Sequence, residues 1–356
     1  MPTPFLQLPS LSLITDFVNF YMIDFVFSRR YTSPEKEQVP QMRLANEILK
    51  GNIRAAAKLI RYVEDGAPDA VEELKKLYFH TGKSYIIGIT GAPGSGKSTL
   101  IDVLIDSFRK RNKTVGVIVI DPSSPFSGGA ILGDRIRMQR HATDQGVFIR
   151  SLATRGWLGG LSKATIDAIH IMDALGKDII LVETVGVGQA EVAIMNFVHT
   201  STVVLMPGSG DWVQTLKAGI LEIADLLVIN KADMKGVYEL EAELKAMLQM
   251  KDYPRGVWKP RILVTEAIND KGTEELMKGI YEHREFLVTT GKYDTRVRQS
   301  NKQELLEVLK GSLIDTVFQK INKNDYVEKV IDDLVNRRKD PYSAVSEIIT
   351  KLTEGK

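Results

Sequence analysis

Cysteine is absent from the 356 residues of this chain. Its absence excludes disulfide bonds, thiol catalysis, iron–sulfur clusters and cysteine-ligated zinc. Histidine is scarce as well, because the five histidines are scattered along the sequence and give no case for an all-histidine metal site. The net charge is small too, because 47 basic side chains nearly balance 45 acidic ones and leave a formal net charge of +2. So small a charge gives no electrostatic basis for binding nucleic acid, and we predict no nucleic-acid partner.

A hydrophobic run long enough to cross a bilayer is also missing. The most apolar stretch, residues 11–27, is shorter than a membrane span requires and contains Asp16 and Asp24. No basic segment precedes it and no small-residue cleavage site follows it, which argues against a secretory signal. We interpret it as an amphipathic helix that packs on protein rather than as a membrane anchor, and we expect a cytoplasmic protein.

Short apolar runs alternate with amphipathic helical segments from residue 84 onward. Most runs are apolar at consecutive positions, which is typical of strands buried on both faces of a parallel sheet. The order predicts an α/β fold with a doubly wound, mostly parallel sheet and ligands at the carboxyl ends of its strands. The predicted strands are residues 85–89, 115–120, 147–152, 179–182, 202–206, 226–229 and 262–264. The predicted helices between them are residues 97–110, 163–174, 214–224, 237–249 and 273–287.

Helical segments flank this predicted sheet at both ends of the sequence. Residues 41–82 carry apolar side chains at helical spacing, interrupted twice at glycine, and predict an N-terminal subdomain of about three short helices. Residues 291–356 lack a strand pattern and predict C-terminal helices that pack on the core or form an oligomer interface. Residues 83–290 are the predicted nucleotide-binding domain, and residues 1–40 are an extension of unknown role.

A phosphate-binding motif follows the first predicted strand. Residues 91–98 match the P-loop pattern G-x-x-x-x-G-K-[ST] between a strand and a helix. The glycines let backbone N–H groups turn toward a phosphate, and the helix N-terminus adds positive potential. We predict that Lys97 contacts the β and γ phosphates and that Ser98 binds Mg²⁺. The predicted phosphate-binding residues are Gly91, Ala92, Pro93, Gly94, Ser95, Gly96, Lys97, Ser98 and Thr99.

The strand at residues 226–229 is followed by an N-K-x-D motif that resembles the base-recognition element of GTPases. A carboxylate at Asp233 can accept hydrogen bonds from N1–H and the 2-amino group of guanine, a donor pair that adenine lacks. We therefore predict GTP and GDP as ligands. A loop after the next strand is predicted to contact the base through backbone N–H groups, although Glu266 departs from the Ser-Ala that GTPases usually have there. The predicted base-contacting residues are Asn230, Lys231, Asp233, Glu266, Ala267 and Ile268.

The strand at residues 179–182 is followed by Glu-Thr-Val-Gly, which starts at Glu183. Glu183 can hold Mg²⁺ through water, and the N–H of Gly186 can contact the γ phosphate. Many small GTPases place a water-orienting glutamine directly after this glycine, whereas this chain has Val187. Slow intrinsic hydrolysis is therefore predicted, with Gln189 as a weaker candidate for orienting water. The predicted catalytic residues are Lys97, Glu183 and Gly186.

Two aspartates lie beyond the strand at residues 115–120. Asp121 ends that strand, and Asp134 follows in a Leu-Gly-Asp-Arg segment. Carboxylates beyond one strand end can approach a Mg²⁺–phosphate centre. On spacing alone, a turn aspartate and a helix N-cap explain the pair equally well.

Together the motifs resemble those of one family, the MeaB/ArgK/MMAA group of GTPase chaperones for adenosylcobalamin-dependent methylmalonyl-CoA mutase. The resemblance rests on Asp-Pro-Ser-Ser-Pro from Asp121, Ile-Leu-Gly-Asp-Arg around Asp134, Glu-Thr-Val-Gly-Val-Gly-Gln from Glu183, and Leu-Glu-Ile-Ala-Asp followed by Asn-Lys-Ala-Asp. It extends from around residue 42 to the C-terminal helices and is looser after residue 296.

The resemblance implies a P-loop NTPase G domain of the SIMIBI class with an N-terminal helical bundle and a C-terminal dimerisation arm, hence a homodimer. It also implies GTP hydrolysis that gates adenosylcobalamin loading into methylmalonyl-CoA mutase, or a related acyl-CoA mutase, and protects that enzyme. The residues implied to surround Mg²⁺ are Ser98, Asp121, Asp134 and Glu183. The residues implied in a partner-sensing loop are Asp211, Gln214 and Lys217, and the bulky Trp212 within that loop departs from the small or acidic residues expected there.

Other functions stay open at this point. A metal-insertion GTPase, as in nickel enzyme maturation, would need a cysteine and histidine metal store, which the sequence lacks. A transport-associated ATPase or kinase would have no use for a guanine-reading carboxylate at Asp233. A binding switch with incidental hydrolysis differs only by degree from a chaperone GTPase.

Overall fold

The computed structural model describes residues 43–121, 139–153, 160–184, 195–208, 223–254, 256–321 and 326–354. The described residues from 43 onward belong to one compact unit. In the described part no helix is both long and apolar enough to cross a membrane. The predicted extension at residues 1–40 lies outside the described residues, and the division of the chain into four segments stays a prediction.

All seven predicted strands are present, and they form one sheet. The strand order is β3-β2-β4-β1-β5-β6-β7, and every neighbouring pair is parallel. Because β1 lies between β4 and β5, the loops that follow β1 and β4 start side by side at the carboxyl edge of the sheet. The strands are β1 Tyr85–Gly91, β2 Val115–Asp121, β3 Val147–Ala153, β4 Ile179–Thr184, β5 Thr200–Leu205, β6 Leu226–Ile229 and β7 Arg261–Val264.

The predicted start of β5 at residue 202 is two residues late. Thr200 and Ser201 also belong to the strand, because they pair with Ile87 and Gly88 of β1. Their polar side chains are buried. The apolar pattern could not show this extension, since backbone pairing with the central strand determines it.

Helices cover both faces of the sheet and continue at each end of the described chain. The three N-terminal helices predicted in residues 41–82 are present, with breaks at the glycines. The helix predicted at residues 214–224 lies almost wholly outside the described residues. The helices are α1 Leu44–Leu49, α2 Ile53–Glu64, α3 Pro68–Tyr78, α4 Lys97–Lys110, α5 Gly160–Ala174, α6 Val237–Met250, α7 Thr273–Thr289, α8 Lys292–Ile321, α9 Tyr326–Val335 and α10 Pro341–Glu354.

The apolar side chains divide between the two faces of the sheet. In β2, Ile118 packs in a cluster with α5 and the N-terminal helices, whereas Val117 and Val119 pack on the opposite face with α4 and α7. Successive residues of a strand point to opposite faces, so a consecutive apolar run fills two cores at once. The N-terminal helices therefore share a hydrophobic core with the sheet, and α4, which follows the P-loop, is fixed by the other core.

A buried carboxylate joins α8 to the amino-terminal edge of the sheet. Asp225, just before β6, accepts two hydrogen bonds from Arg296 of α8 at 2.7 and 2.9 Å, and Nε2 of His283 lies 3.2 Å from it. Burial opposes ionisation of Asp225. Its contacts with His283 and Arg296 outweigh burial and hold its pKa well below the usual range. The C-terminal helix α8 is thus anchored to the sheet through Asp225.

His199, just before β5, should make stability depend on pH. Its Nδ1 accepts the N–H of Ile86 at 3.0 Å, and burial, together with the charges of Arg296 and Arg284, lowers its pKa to about 4. In the unfolded chain the pKa returns to about 6.5. The unfolded state therefore binds more protons between these values, and the free energy of unfolding should fall by about 3 kcal/mol as pH drops from 6.5 to 4.

Urea unfolding of wild type and His199→Asn at pH 7 and pH 4.5 measures this contribution, since the amide oxygen can still accept the Ile86 N–H. We expect the variant to lose less stability on acidification than wild type. His80→Asn, at an exposed histidine, is the control and should keep the wild-type pH dependence. An equal loss in His199→Asn and wild type would contradict the assignment.

Candidate nucleotide-binding site

The P-loop connects β1 to α4, and its backbone conformation depends on glycine at two positions. Gly91 has φ +149°, and a Cβ there would lie 2.1 Å from the carbonyl oxygen of Val204 in β5. Gly96 has φ +89°, and a Cβ there would lie 2.3 Å from Nδ2 of Asn230. Any other residue would strain the backbone and collide with its neighbours. These contacts fix the curvature of the loop and seat it against β5 and the loop after β6.

Lys97 begins α4 and is directed toward the inside of the P-loop. Its side chain is buried, at 5% exposure, and its Nζ donates to the carbonyl oxygens of Gly91 at 2.9 Å and Ala92 at 3.1 Å. The ammonium group thus lies over the loop at the positive end of a helix, which is an arrangement suited to a phosphate. Of the other predicted phosphate-binding residues, Pro93 and Gly94 are exposed, Ser95 is buried and Thr99 is half-buried.

Ser98 and Glu183, predicted from separate motifs as Mg²⁺ residues, are brought together. The register of β1 and β4 aligns Ile89 with Glu183, so Glu183, the next-to-last residue of β4, lies beside the end of β1 that leads into the P-loop. The Oγ of Ser98 donates to Oε1 of Glu183 at 2.8 Å, and Glu183 is buried at 2% exposure. Asp121 ends β2, two residues past the Val119–Glu183 pair, on the other side of β4.

The donor atoms of this pair fit Mg²⁺, which prefers oxygen ligands. Mg²⁺ is commonly held by one or two protein side chains together with substrate phosphates. The described residues contain no group of three or more histidines and carboxylates able to hold a metal. Asp134 and Gly186, also predicted here, and Val187 lie outside the described residues, as do Asp211, Gln214 and Lys217 of the predicted partner-sensing loop.

Asn230 connects the P-loop to the loop after β7. Its Nδ2 donates to the carbonyl oxygen of Ser95 at 2.9 Å, and its Oδ1 accepts from Thr265 Oγ1 at 3.0 Å and from the N–H of Ala267 at 3.2 Å. The sequence predicted that Asn230 contacts the guanine base and did not show this bridge between two loops. One feature of the sequence could have indicated the bridge: Asn230 carries an amide, which can both donate and accept, and it lies at a strand end between two predicted loops.

The other predicted base-contacting residues lie around this bridge. Asp233 is exposed, and Lys231 has φ +58°, a left-handed conformation that is uncommon for lysine. Ile268 is 79% exposed. The exposed Asp233 carboxylate is therefore accessible to a ligand, and Ile268 offers an exposed apolar side chain in the loop after β7.

Glu266 directs its carboxylate within its own loop. It forms an ion pair with Lys271 at 2.8 Å and accepts a hydrogen bond from Asn269. The Lys271 ammonium, followed by the Asn269 amide, holds the pKa of this carboxyl below its ordinary value. Because the side chain is engaged in this way, the predicted contact to the base is left to the backbone N–H groups of this loop, and that contact stays a prediction.

Comparison with known proteins finds a family model and several relatives. The family model described as methylmalonyl-CoA mutase-associated GTPase MeaB matches residues 56–322. A Pyrococcus abyssi protein named as a GTPase is 49% identical over 314 residues, which are 88% of this chain and 97% of that protein. The mitochondrial methylmalonic aciduria type A homolog of Caenorhabditis elegans is 30% identical over 296 residues, 78% of this chain and 74% of that protein.

A solved structure shares the fold. The crystal structure of a LAO/AO transport system kinase covers 90% of this chain and 100% of that chain, with a TM-score of 0.65 and 21% identity. This structure confirms the fold, and the family model and the relatives confirm the resemblance drawn from the motifs. The chain belongs to the MeaB family of P-loop proteins, and it is a GTPase.

Proposed function

We propose that this GTPase is a chaperone that gates adenosylcobalamin loading into methylmalonyl-CoA mutase, or a related acyl-CoA mutase, and protects the loaded enzyme. The observation that carries the proposal is membership of a family whose model is named for association with that mutase. The nucleotide site supports it, because the P-loop, the Ser98–Glu183 pair and the Asn230 bridge are all assembled.

In this proposal the P-loop N–H groups and Lys97 bind the phosphates of GTP. Mg²⁺ would be held by Ser98 with Asp121, Asp134 and Glu183, directly or through water. When bound, the ion neutralises charge on the β and γ phosphates. The N–H of Gly186 supports the γ phosphate, and Asp233 accepts hydrogen bonds from the guanine base. Asn230 keeps the phosphate and base subsites at a fixed separation.

A homodimer is the proposed assembly. Helix α8 extends over 30 residues, and its middle part presents a run of exposed apolar side chains that are unusual for a surface left in water. Because Arg296 anchors the start of α8 to the sheet, the apolar part is held in a defined direction. These exposed residues are Leu305, Leu306, Val308, Leu309, Leu313 and Ile314.

The alternatives gain no support from the described residues. A metal-insertion GTPase needs a metal store, but four histidines each form a hydrogen bond with a different residue: His141 with Asp102, His170 with Glu304, His199 with Ile86 and His283 with Thr200. A transport ATPase or kinase would need adenine recognition, whereas the Asp233 carboxylate only accepts hydrogen bonds and matches the N1–H and 2-amino donors of guanine, which adenine lacks.

The test measures GTP turnover with and without methylmalonyl-CoA mutase, together with transfer of adenosylcobalamin to the apo mutase. We expect the mutase to accelerate turnover by at least about tenfold, since a partner that completes a GTPase site can supply far more. A non-hydrolysable GTP analogue should block transfer, and Lys97→Ala in the same mixture serves as the site control. Unchanged turnover with methylmalonyl-CoA mutase and with an isobutyryl-CoA mutase would contradict the proposal.

A further inference from the structure

The ends of β1 and β4 are joined by a buried pair of hydroxyl groups. The Oγ1 of Thr184, the last residue of β4, donates a hydrogen bond at 2.8 Å to the Oγ1 of Thr90, the next-to-last residue of β1. Both residues are shielded from water, with Thr184 at 0% and Thr90 at 1% exposure. A buried hydroxyl costs free energy unless it is hydrogen-bonded, so this bond compensates the burial of Thr184.

The pair lies where the nucleotide site begins. The register of the two strands aligns Ile89 with Glu183, so Thr90 and Thr184 are the next residues along β1 and β4. Thr90 is followed directly by Gly91, the first residue of the P-loop, and Thr184 directly follows Glu183. The hydroxyl bond therefore joins the two strand ends that carry the P-loop and the Glu183 carboxylate.

Thr184 and Glu183 lie on opposite faces of the sheet, since successive residues of a strand alternate. Leu181 packs in the core that contains α4, and Glu183 lies on that face, where its carboxylate accepts the hydrogen bond of Ser98. Val182 packs in the other core, and Thr184 lies on its face. The end of β4 is thus bonded to α4 on one face and to β1 on the other.

Two bonds on opposite faces restrict rotation of the end of β4 about its own axis. Loss of the Thr184 hydroxyl would leave the Glu183 carboxylate less well fixed relative to Ser98. Mg²⁺ demands nearly ideal octahedral geometry, and groups that orient its ligands affect how tightly it binds. We propose that Thr184 is a positioning residue for GTP hydrolysis, whose hydroxyl acts through Glu183 and sets the Mg²⁺ requirement of the reaction. The proposal rests on the Mg²⁺ role proposed for Ser98 and Glu183 and is independent of the mutase.

Two substitutions at Thr184 separate the hydrogen bond from the packing. Thr184→Val has nearly the same shape and lacks the hydroxyl, whereas Thr184→Ser keeps the hydroxyl and lacks a methyl group. If the hydroxyl positions Glu183, the valine variant should bind Mg²⁺ less tightly and the serine variant should not. If only packing matters, the order should be the reverse, because the serine variant leaves the cavity.

The opposite end of β1 offers a matched control. The buried hydroxyl of Tyr85 forms a hydrogen bond with Oγ1 of Thr200 in β5, at the amino-terminal edge of the sheet. Tyr85→Phe removes this buried bond between β1 and a neighbouring strand without touching the P-loop end. A general weakening of the contacts of β1 would therefore affect Tyr85→Phe as well as Thr184→Val.

The experiment compares wild type, these three variants and Ser98→Ala in the full-length chain. The main readout is the Mg²⁺ concentration that gives half-maximal binding of a fluorescent, non-hydrolysable GTP analogue, followed by the Mg²⁺ concentration for half-maximal GTP hydrolysis and by urea unfolding. We expect Thr184→Val to raise both Mg²⁺ concentrations about fivefold, the scale of one neutral hydrogen bond. Thr184→Ser and Tyr85→Phe should stay within about twofold of wild type. GDP affinity of Thr184→Val in EDTA should also stay within about twofold, since the P-loop contacts are intact.

Thr90→Val removes the same bond from the β1 side and should shift the Mg²⁺ concentrations in the same direction. The double variant Thr90→Val/Thr184→Val should shift them no further than Thr184→Val does, because both substitutions remove one shared bond. A shift in Thr184→Ser or Tyr85→Phe as large as that in Thr184→Val would overturn the positioning role.

Ser98→Ala separates failure of this inference from failure of the Mg²⁺ site. If Ser98→Ala raises the Mg²⁺ concentrations while Thr184→Val does not, the positioning role is overturned and the site stands. If Ser98→Ala also leaves them unchanged, the proposed site fails and the inference with it.

Discussion

Asp233→Asn should reverse the base preference of this GTPase, so that xanthosine triphosphate binds more tightly than GTP. The carboxylate of Asp233 accepts from both N1–H and the 2-amino group of guanine, whereas an asparagine amide brings an N–H donor against that amino group. Xanthine has a carbonyl oxygen at the same position, which the amide can donate to. For guanine, the substitution replaces two matched hydrogen bonds with a clash between two donors. For xanthine, it replaces a clash between two acceptors with a matched hydrogen bond.

The loss of GTP affinity should be about 3 kcal/mol, because a charge-assisted contact disappears and a donor of the base is left unpaired. This is on the order of a hundredfold in the dissociation constant. Competition between a fluorescent guanine nucleotide and GTP, xanthosine triphosphate or ATP measures all three affinities on one sample. The exposed position of Asp233 favours this experiment, since the substitution creates no buried cavity.

The matched control is Asp252→Asn, which makes the same chemical change at an exposed residue just beyond the far end of α6. Asp252→Asn should bind the three nucleotides as wild type does. ATP binding to wild type as tight as GTP binding would show that Asp233 does not read the base. Equal weakening of GTP and xanthosine triphosphate in Asp233→Asn would place its effect on folding rather than on recognition.

The sheet could be predicted because its strands are apolar at consecutive positions. β4 and β6 are buried along their whole length, and a run such as Leu226–Ile229 has few other uses in a chain of this composition. The helix α4 was predicted with both ends correct, since the P-loop sets its start and an apolar face continues through Phe108. Local signals sufficed for these elements because the same residues determine both the conformation and the burial.

Long-range contacts explain what the sequence did not show. Helix α8 begins at Lys292 with polar turns that no apolar pattern marks, because Arg296 in those turns is held on Asp225, which is distant in sequence. In the site, the motifs identified Asn230 and Ser98 separately. The bonds from Asn230 to Ser95 and from Ser98 to Glu183 appeared only in the folded chain, since pattern along the sequence carries no information on which loops meet.

Lys217→Ala should abolish acceleration of GTP hydrolysis by the mutase while leaving the slow basal rate nearly unchanged. Val187 occupies the position of a water-orienting glutamine, and positioning with charge stabilisation does most of the work in phosphoryl transfer. We therefore expect a basal rate well below about 1 s⁻¹, the low edge of ordinary enzymes. The partner must supply what is missing, and the family resemblance assigns this to the loop that carries Asp211, Gln214 and Lys217.

A lysine ammonium placed against the γ phosphate stabilises the charge of the transition state, as the added cation of other GTPase systems does. Removing it should cost the stimulated rate at least about a hundredfold, the scale of one lost electrostatic donor. Single-turnover hydrolysis with and without methylmalonyl-CoA mutase gives both rates, and co-sedimentation shows that Lys217→Ala still binds the mutase. Lys251→Ala, at an exposed lysine at the end of α6, should be stimulated as wild type is.

The result separates two roles for this loop. If the loop transmits the state of the partner to the phosphates, Asp211→Ala and Gln214→Ala should also lose stimulation while the complex still forms. The reason is that a two-state segment loses its active state when any contact that defines that state is removed. If the loop only contributes to docking, stimulation returns at saturating mutase in all three variants. Full stimulation of Lys217→Ala, Asp211→Ala and Gln214→Ala at every mutase concentration would exclude the loop from both roles, and the missing water-orienting group would then have to come from the mutase itself.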